Sequence, residues 1–492
     1  MTDISHHVDI KSDSTGDNVG YKNKAGQQQY LPKVVTDPVT GGNIFLSGGS
    51  ALSLISSPVE KLKSKFRKSP YLSVPEVMAS PPAITEGSAG TGPAVATVRI
   101  IPWDGNTPQV NHLFNTPYLS VFNASKMSGT LLGQTPITMS GQEKFLMSTP
   151  VFPSNVGGLG MTCISFEFDG QDLEILHYGQ LQFFGISNGK SFSASAISSG
   201  TASVSSWTRI AFGSREVRSI RIYVLGQVGS VAIGANDSIS PVDSSRDISV
   251  VLHGDSYFTT TAERLPALGP GGEAALRCGF ENMWGSGWGG AAYYYAGPSA
   301  NANTAFADLS RVESCDIWHC SLGINETRAG VGAANFDAAV LQYYTAVRAT
   351  FPNAVISATG PWAPTESSSK TANRTDISDA VLTQLRKISG PWVFVDNLRG
   401  TWENSSGKTG VAKVSSTSST TSVNGGPSVN SGMQSPAQVG TWQTGEGKVG
   451  GTTGKGNGDL YVGADGTHPS PSGVTYLGSM IARGWRDSIL AL

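Results

Sequence analysis

Charged side chains are scarce in this chain: Asp, Glu, Lys and Arg supply 14% of its 492 residues, against roughly a quarter in ordinary globular proteins. The formal net charge is −2. With no strong basic block, a nucleic-acid-binding surface is not indicated. Cysteine is rarer still. Cys163, Cys278, Cys315 and Cys320 include no C-x-x-C pair, which argues against a disulfide framework or a zinc site and predicts buried reduced thiols. No apolar run approaches the ~20 residues of a membrane helix, so membrane insertion is not expected. The opening MTDISHHVDIKSD has no apolar stretch of the secretory type, so export by an ordinary signal peptide is not expected.

Glycine, serine, threonine and asparagine fill the gap. The 60 glycines suit a turn-rich, β-rich chain, and this length predicts two or three domains. Residues 1–91 are rich in Ser, Pro and Gly and lack sustained periodicity, apart from a brief amphipathic helix expected over Pro58–Phe66 beside the basic patch Lys61–Lys68. This predicts an irregular N-terminal attachment segment. Over residues 92–246, short apolar or alternating runs are separated by turn clusters such as Asp169-Gly170, the pattern of a β-sandwich. From residue 247 the pattern becomes strand, loop, helix. Ile248–Leu252, Asp316–Cys320, Ala354–Ala358 and Trp392–Val395 read as buried strands, and Phe336–Phe351, Ser378–Ile388 and Ser472–Leu490 as helices. Such alternation predicts a parallel sheet covered on both faces. Residues 403–459 break it with a Ser/Thr/Gly-rich stretch, read as an extended insertion beside the functional site.

Four short elements carry chemistry. Gly254-Asp255-Ser256 follows the first strand of the α/β region, where open sheets place their functional groups. A glycine there permits a tight turn, and the serine is expected at the start of a helix with its Oγ exposed. Asp465-Gly-Thr-His468 precedes the last helix; a His so placed can take a proton from a serine while the Asp orients its ring. Asp465 or Ser470 could equally cap that helix. Gly323-Ile-Asn325-Glu326 follows a neighbouring strand, where an Asn can donate to a developing oxyanion. The run Gly285-Ser-Gly287-Trp-Gly289 offers a backbone N–H that can approach the same oxygen closely. Singly, each is also what a turn in a Ser/Gly-rich chain looks like.

Taken together and in this order, the elements resemble the four blocks of the SGNH (GDSL-like) hydrolases, over about residues 247–492. Glu326 stands where that family usually has Asp, and Gly285 or Gly289 could serve in place of Gly287. The G-x-S-x-G elbow of ordinary α/β-hydrolases is missing. The resemblance implies a multidomain chain: a jelly-roll-like β-sandwich, then a three-layer α/β hydrolase domain with a central parallel sheet. It implies Ser256 as nucleophile, His468 as base and Asp465 as its orienter. The oxyanion hole would be formed by the Ser256 and Gly287 N–H groups and the Asn325 side chain. Neither metal nor organic cofactor is required.

A β-sandwich ahead of such a domain is similar to carbohydrate esterases that remove O-acetyl groups, which implies an acetylated polysaccharide substrate. Trp284, Trp288, Tyr293 and Trp362, with Tyr294 and Tyr295, are candidates to stack on sugar rings. The low-charge, Gly/Ser-rich chain also resembles bacteriophage tail-fibre or tailspike deacetylases. That implies a homotrimer in the virion, joined to tail or baseplate proteins by the N-terminal segment. Otherwise an extracellular location after lysis, or a cytoplasmic one, is expected. Two other readings stay open: an esterase or lipase for small esters, and a non-catalytic glycan-binding adhesin on the same scaffold.

Overall fold

Apart from isolated positions, the computed structural model describes residues 57–69, 72–88, 98–102, 137–139, 143–147, 162–200, 204–240, 247–258, 264–265, 268–287, 289–294, 314–362, 368–412 and 467–492, and the backbone of short strands between residues 11 and 54. Residues 1–65 form one compact unit and residues 66–492 another. Within the first, strands of two to five residues make two three-stranded antiparallel sheets, Lys11–Ser12 through Tyr30 and Lys33–Thr36 through Leu54. The sequence suggested an irregular segment here because strands this short give alternation too little length to show. The expected helix is present as Pro58–Lys68.

Two long strands organise the β layer of the second unit, Thr162–Ser187 and Ser205–Gly234. Their pairing changes partner along their length. Thr162–Gly170 and Gln182–Ser187 both pair with the stretch Glu216–Leu225, one on each side of it. The intervening Asp172–Tyr178 lies between Ser205–Ala211 and Gln227–Ile233. Each long strand therefore crosses a corner, and the antiparallel ladder becomes two sets of strands. Phe166, Phe168, Phe183, Ile220 and Ile222 from one set share a single core with Leu173, Ile175, Ile210, Val231 and Ile233 from the other. Ala83–Glu86 pairs with Thr208–Ala211, so the layer recruits residues ahead of position 92, where sequence patterning began it.

The α/β part carries the sheet that positions the functional elements. Its strands are β1 (Ser249–Gly254), β2 (Asn282–Gly287), β3 (Ile317–Ser321), β4 (Val355–Thr359), β5 (Trp392–Asp396), β6 (Thr401–Asn404) and β7 (Thr409–Val411). They lie in the order β2-β1-β3-β4-β5-β6-β7. The first five are parallel, and β6 and β7 extend the sheet as an antiparallel hairpin. That hairpin takes up the first residues of the stretch 403–459 expected as an extended insertion; residues 413–466 lie outside the described residues.

The helices are α1 (Gly269–Arg277), α2 (Arg328–Val331), α3 (Ala333–Thr350), α4 (Ser368–Leu385) and α5 (Pro471–Leu490). Successive strand residues face opposite ways. Trp318, Ile356 and Phe394 join a core with Phe336, Val340, Tyr343 and Tyr344 of α3 and with Ile377 and Val381 of α4. On the other face, the ring of His319 meets Trp485 of α5 at 5.2 Å, and the Trp485 indole donates to Ser357 Oγ at 2.6 Å. Helices thus cover both faces, which is why β1 and β3–β5 read as unbroken apolar runs rather than alternating ones. Among the described residues no helix is long and apolar enough to cross a membrane. Cys278, Cys315 and Cys320 are buried free thiols; the Cys163 side chain lies outside the described residues.

Helix α1 was not expected, because Gly-Pro-Gly-Gly is a poor helix start by propensity. Packing overrides propensity: Gly269 through Leu276 are all buried, and α1 lies close against α5. A Cβ built at Gly478 of α5 would come within 2.6 Å of Glu273 Cβ and 3.0 Å of the Pro270 carbonyl oxygen. The Gly478→Ala protein is therefore expected to be less stable by about 1–3 kcal/mol, the usual cost of overpacking. Urea denaturation measures this, and an unchanged midpoint would mean that the two helices separate freely.

Candidate active site

The order β2-β1-β3 contains a topological switch point. From β1 the chain crosses to β2 on one side, then returns to place β3 on the other. Loops leaving the carboxyl ends of β1 and β3 therefore diverge and leave a crevice, the general location of ligand sites in open α/β sheets. Ser256 follows β1, and Asn325 follows β3.

Residues Asp255–Phe258 form a turn closed by the Phe258 N–H donating to the Asp255 carbonyl at 3.0 Å. Ser256 thus sits on a turn, where a helix start was expected. It is half-buried, while Asp255 beneath it is 2% exposed. Asp255 Oδ1 accepts the Tyr257 N–H at 2.9 Å. Phe258 holds the turn from the other side. Gly254 and Gly287 are direct neighbours in the β1–β2 register, and a Cβ at Gly287 would come within 2.2 Å of the Phe258 ring. Gly285 faces the same ring, at 2.5 Å. The glycines of β2 are explained first by this ring. The strand was taken for a loop because three of its residues are Gly or Ser.

His468 lies just ahead of α5, whose N-cap is Ser470, accepting the Gly473 N–H at 3.1 Å. That choice between Ser470 and Asp465 is decided by geometry, and Asp465 itself lies outside the described residues. Tyr257 connects His468 to the serine turn. Its hydroxyl donates to the Thr467 carbonyl at 2.7 Å, and its ring meets the His468 ring with centroids 5.7 Å apart. The imidazole therefore lies against the residue that follows Ser256.

The β3 loop needs Gly323, whose φ of 108° lies in a region that side chains avoid. Asn325 is exposed, and its Nδ2 donates one hydrogen to the Ala291 carbonyl at 2.9 Å. The next residue is buried. Glu326 accepts the N–H of Tyr293 through both oxygens, at 2.9 and 3.0 Å, and that of Tyr294 at 3.2 Å. Thus the loop after β3 grips the loop after β2.

Six aromatic residues were candidates for a sugar platform. Tyr293 is 1% exposed, bonds to Tyr344 through its hydroxyl at 2.6 Å, and packs on Phe336 and Tyr343. It belongs to the core and has no face for a ligand. Trp362 is also 1% exposed, edge-on to Tyr257 at 5.7 Å, and that expectation is corrected likewise. Trp284 is half-buried, with its indole N–H on Asn282 Oδ1 at 3.1 Å. Trp288 and Tyr295 lie outside the described residues. Sequence reasoning assigned no role to Asp255, Tyr257, Phe258 or Arg374. Adjacency to Ser256 could have flagged the first three; Arg374 on α4 carries no local signal.

Burial foremost pushes both site carboxyls up, Asp255 to about 7 and Glu326 to about 7. Donated N–H bonds and the Arg374 charge oppose the rise, and the nearby Asp255 carboxyl raises Glu326 further.

No protein-family model matches the chain, and no curated protein matches it. Among solved structures it is similar to a family two carbohydrate esterase from Clostridium thermocellum in complex with cellohexaose, at 14% identity over 51% of this chain and 87% of that one, with a TM-score of 0.37. It is similar to the salicylyl-acyltransferase SsfX3 of a tetracycline biosynthetic pathway, at 14% identity over 48% and 71% of the two chains, with a TM-score of 0.39. A third is an acetyl xylan esterase from the rumen bacterium Butyrivibrio proteoclasticus, at 12% identity over 55% and 87%, with a TM-score of 0.35. At such identities and scores these likenesses assign no activity, and the chemistry has to be read from the side chains themselves.

The raised carboxyl has a consequence for stability. Asp255 in the folded chain keeps a proton that the unfolded chain, with a value of 3.8, has released. Its contribution is complete below the unfolded value and is lost as pH rises through about 7. Relative to the neutral isostere Asp255→Asn, the native protein should therefore lose stability by roughly 1.4 kcal/mol per pH unit across that window. Paired urea titrations of the two proteins measure it; a difference that does not vary with pH would mean that Asp255 titrates as an exposed carboxyl.

Proposed function

We propose that the chain is a serine esterase of the SGNH type, with a jelly-roll-like β-sandwich ahead of a three-layer hydrolase domain, and that it removes O-acetyl groups from a bacterial surface polysaccharide. The observation that carries this reading is Tyr257. It follows the candidate nucleophile and touches both Thr467 and His468, which supports a reading in which a serine and an imidazole from opposite ends of the domain act together.

In this reading His468 takes the Ser256 proton as Oγ attacks the ester carbonyl, and Asp465 orients the imidazole. The carbonyl oxygen becomes an oxyanion held by the N–H groups of Ser256 and Gly287 and by Asn325. Among the described residues one of the two Asn325 amide hydrogens is committed, to Ala291, and in this reading the other serves the oxyanion. Collapse of the tetrahedral intermediate expels the sugar alkoxide, which takes the proton from His468. Water, deprotonated by the same imidazole, then attacks the acyl-serine and releases acetate. No step calls for a metal or an organic cofactor.

With Tyr293 and Trp362 buried, Trp284, Trp288, Tyr294 and Tyr295 are the remaining aromatic contacts proposed for the sugar. The Gly/Ser-rich, weakly charged composition supports placing the enzyme in a phage tail, as a homotrimer attached to the virion by its N-terminal unit.

The deciding experiment compares wild type and Ser256→Ala for acetate release from acetylated capsules and exopolysaccharides, with thermal melting as the control. Ser256→Ala should lose acetate release while its melting temperature stays close to wild type, since one hydroxyl at a half-buried turn contributes little to the fold. Equal acetate release by both proteins would remove Ser256 from the chemistry. If neither protein cleaves any ester while both bind the glycan, the chain is an adhesin.

A further inference from the structure

Helix α4 sends one cation toward the crevice. Arg374 donates from Nη1 to the carbonyl of Gly323 at 3.2 Å and to that of Glu326 at 3.3 Å. These two carbonyls flank Ile324 and Asn325, so a single guanidinium nitrogen closes the short loop that presents the Asn325 side chain. The same charge acts on the carboxyls of Asp255 and Glu326 and on Tyr257. The Asp255 carboxyl in turn accepts the Tyr257 N–H at 2.9 Å, and the backbone of Ile324 favours its charged form. Arg374 thus touches the loop after β3 directly and acts electrostatically on the turn after β1.

We propose that Arg374 is a positioning residue for oxyanion stabilisation, acting through Asn325 by fixing the Gly323–Glu326 loop against the Ser256 turn. The proposal rests on the esterase reading of the site. A lysine replaces it poorly, because its stem ends short of the position of Nη1 and its ammonium cannot reach both carbonyls from there. Removing the staple leaves Asn325 in place but lets its amide drift, and small misplacements of a donor weaken only the interaction made in the transition state. Hence kcat should suffer and KM should not.

The test is a double-mutant cycle on acetyl-ester hydrolysis, with p-nitrophenyl acetate as the probe. Arg374→Lys should lower kcat about tenfold with KM changed less than about twofold. In the Asn325→Ala background the same substitution should lower kcat by less than about twofold, because the donor that Arg374 positions is already gone. A tenfold loss in both backgrounds, or a loss confined to KM, overturns the proposal while leaving the esterase reading intact. An Asn325→Ala enzyme with wild-type kcat overturns the oxyanion assignment, and the proposal falls with it. Should Arg374→Lys fail to fold, Arg374→Gln, which keeps two N–H donors without the charge, must meet the same requirement.

Discussion

A carboxylate taken out of water costs several kcal/mol unless donors surround it, and Asp255 lies 2% exposed directly under the turn that carries Ser256. The donors it finds determine the geometry above it. Tyr257 N–H belongs to its own turn, and the backbone of Ile324, in the loop after β3, favours the charged form of the same carboxyl. Glu326 repeats the device one residue beyond Asn325, drawing Tyr293 and Tyr294 of the loop after β2 to itself. The loops after β3 and β2 are thus tied together by a buried acid, and neither shifts without stranding a carboxyl oxygen. The Arg374 charge acts on both acids and favours their ionised forms.

The β layer reaches the same place from the far end of the sheet. Glu281, immediately ahead of β2, accepts through its carbonyl from Arg221 at 3.2 Å and from the Tyr223 hydroxyl at 2.8 Å. Arg221, 5% exposed, also pairs with Asp247 just ahead of β1 and with the Glu281 carboxylate. One buried guanidinium in the β layer therefore fixes the entry points of both strands whose carboxyl ends carry Gly287 and Ser256. A buried charge paired this way contributes little net stability but is costly to break from one side, which suits a part that sets register. The β layer is to that extent part of the framework that positions the candidate site rather than an appendage.

What could be read from the sequence follows from where burial is two-sided. The strands around Val250, Trp318, Ile356 and Val393 are apolar throughout because helices cover both faces, and their pattern stands out without any structure. The Ser256, Asn325 and His468 elements were found because each follows a strand or precedes a helix. Strand β2 and helix α1 escaped notice for one shared reason: their glycines exist to admit a neighbour, the Phe258 ring in one case and α5 in the other, and a missing side chain leaves no periodicity. The opposite error befell Tyr293 and Trp362. An aromatic residue near a catalytic motif looks the same in sequence whether it lines a crevice or a core, and only the partners in Tyr344, Phe336 and Tyr257 tell which.

The sheet also carries two histidines that the proposed chemistry does not use, His253 on β1 and His319 on β3. Each is 1% exposed, and burial lowers each to about 3. Their Nδ1 atoms bond Tyr343 and Ser357, so both are neutral and fixed. A histidine with a depressed folded value stabilises the protein above the unfolded value of 6.5 and loses that contribution as pH falls toward about 3. Asp255 and Glu326 behave in the opposite sense, losing theirs as pH rises to about 7. Over the window where the two ranges overlap, each group acts with a slope of roughly 1.4 kcal/mol per pH unit, two in each direction. The slopes oppose one another, so the four groups together leave stability nearly level with pH although each alone would tilt it. Between about 4.5 and 6.5 the folded chain therefore keeps both acids protonated and both histidines neutral, and the histidines on the adjoining strands cancel the slope that the two acids contribute.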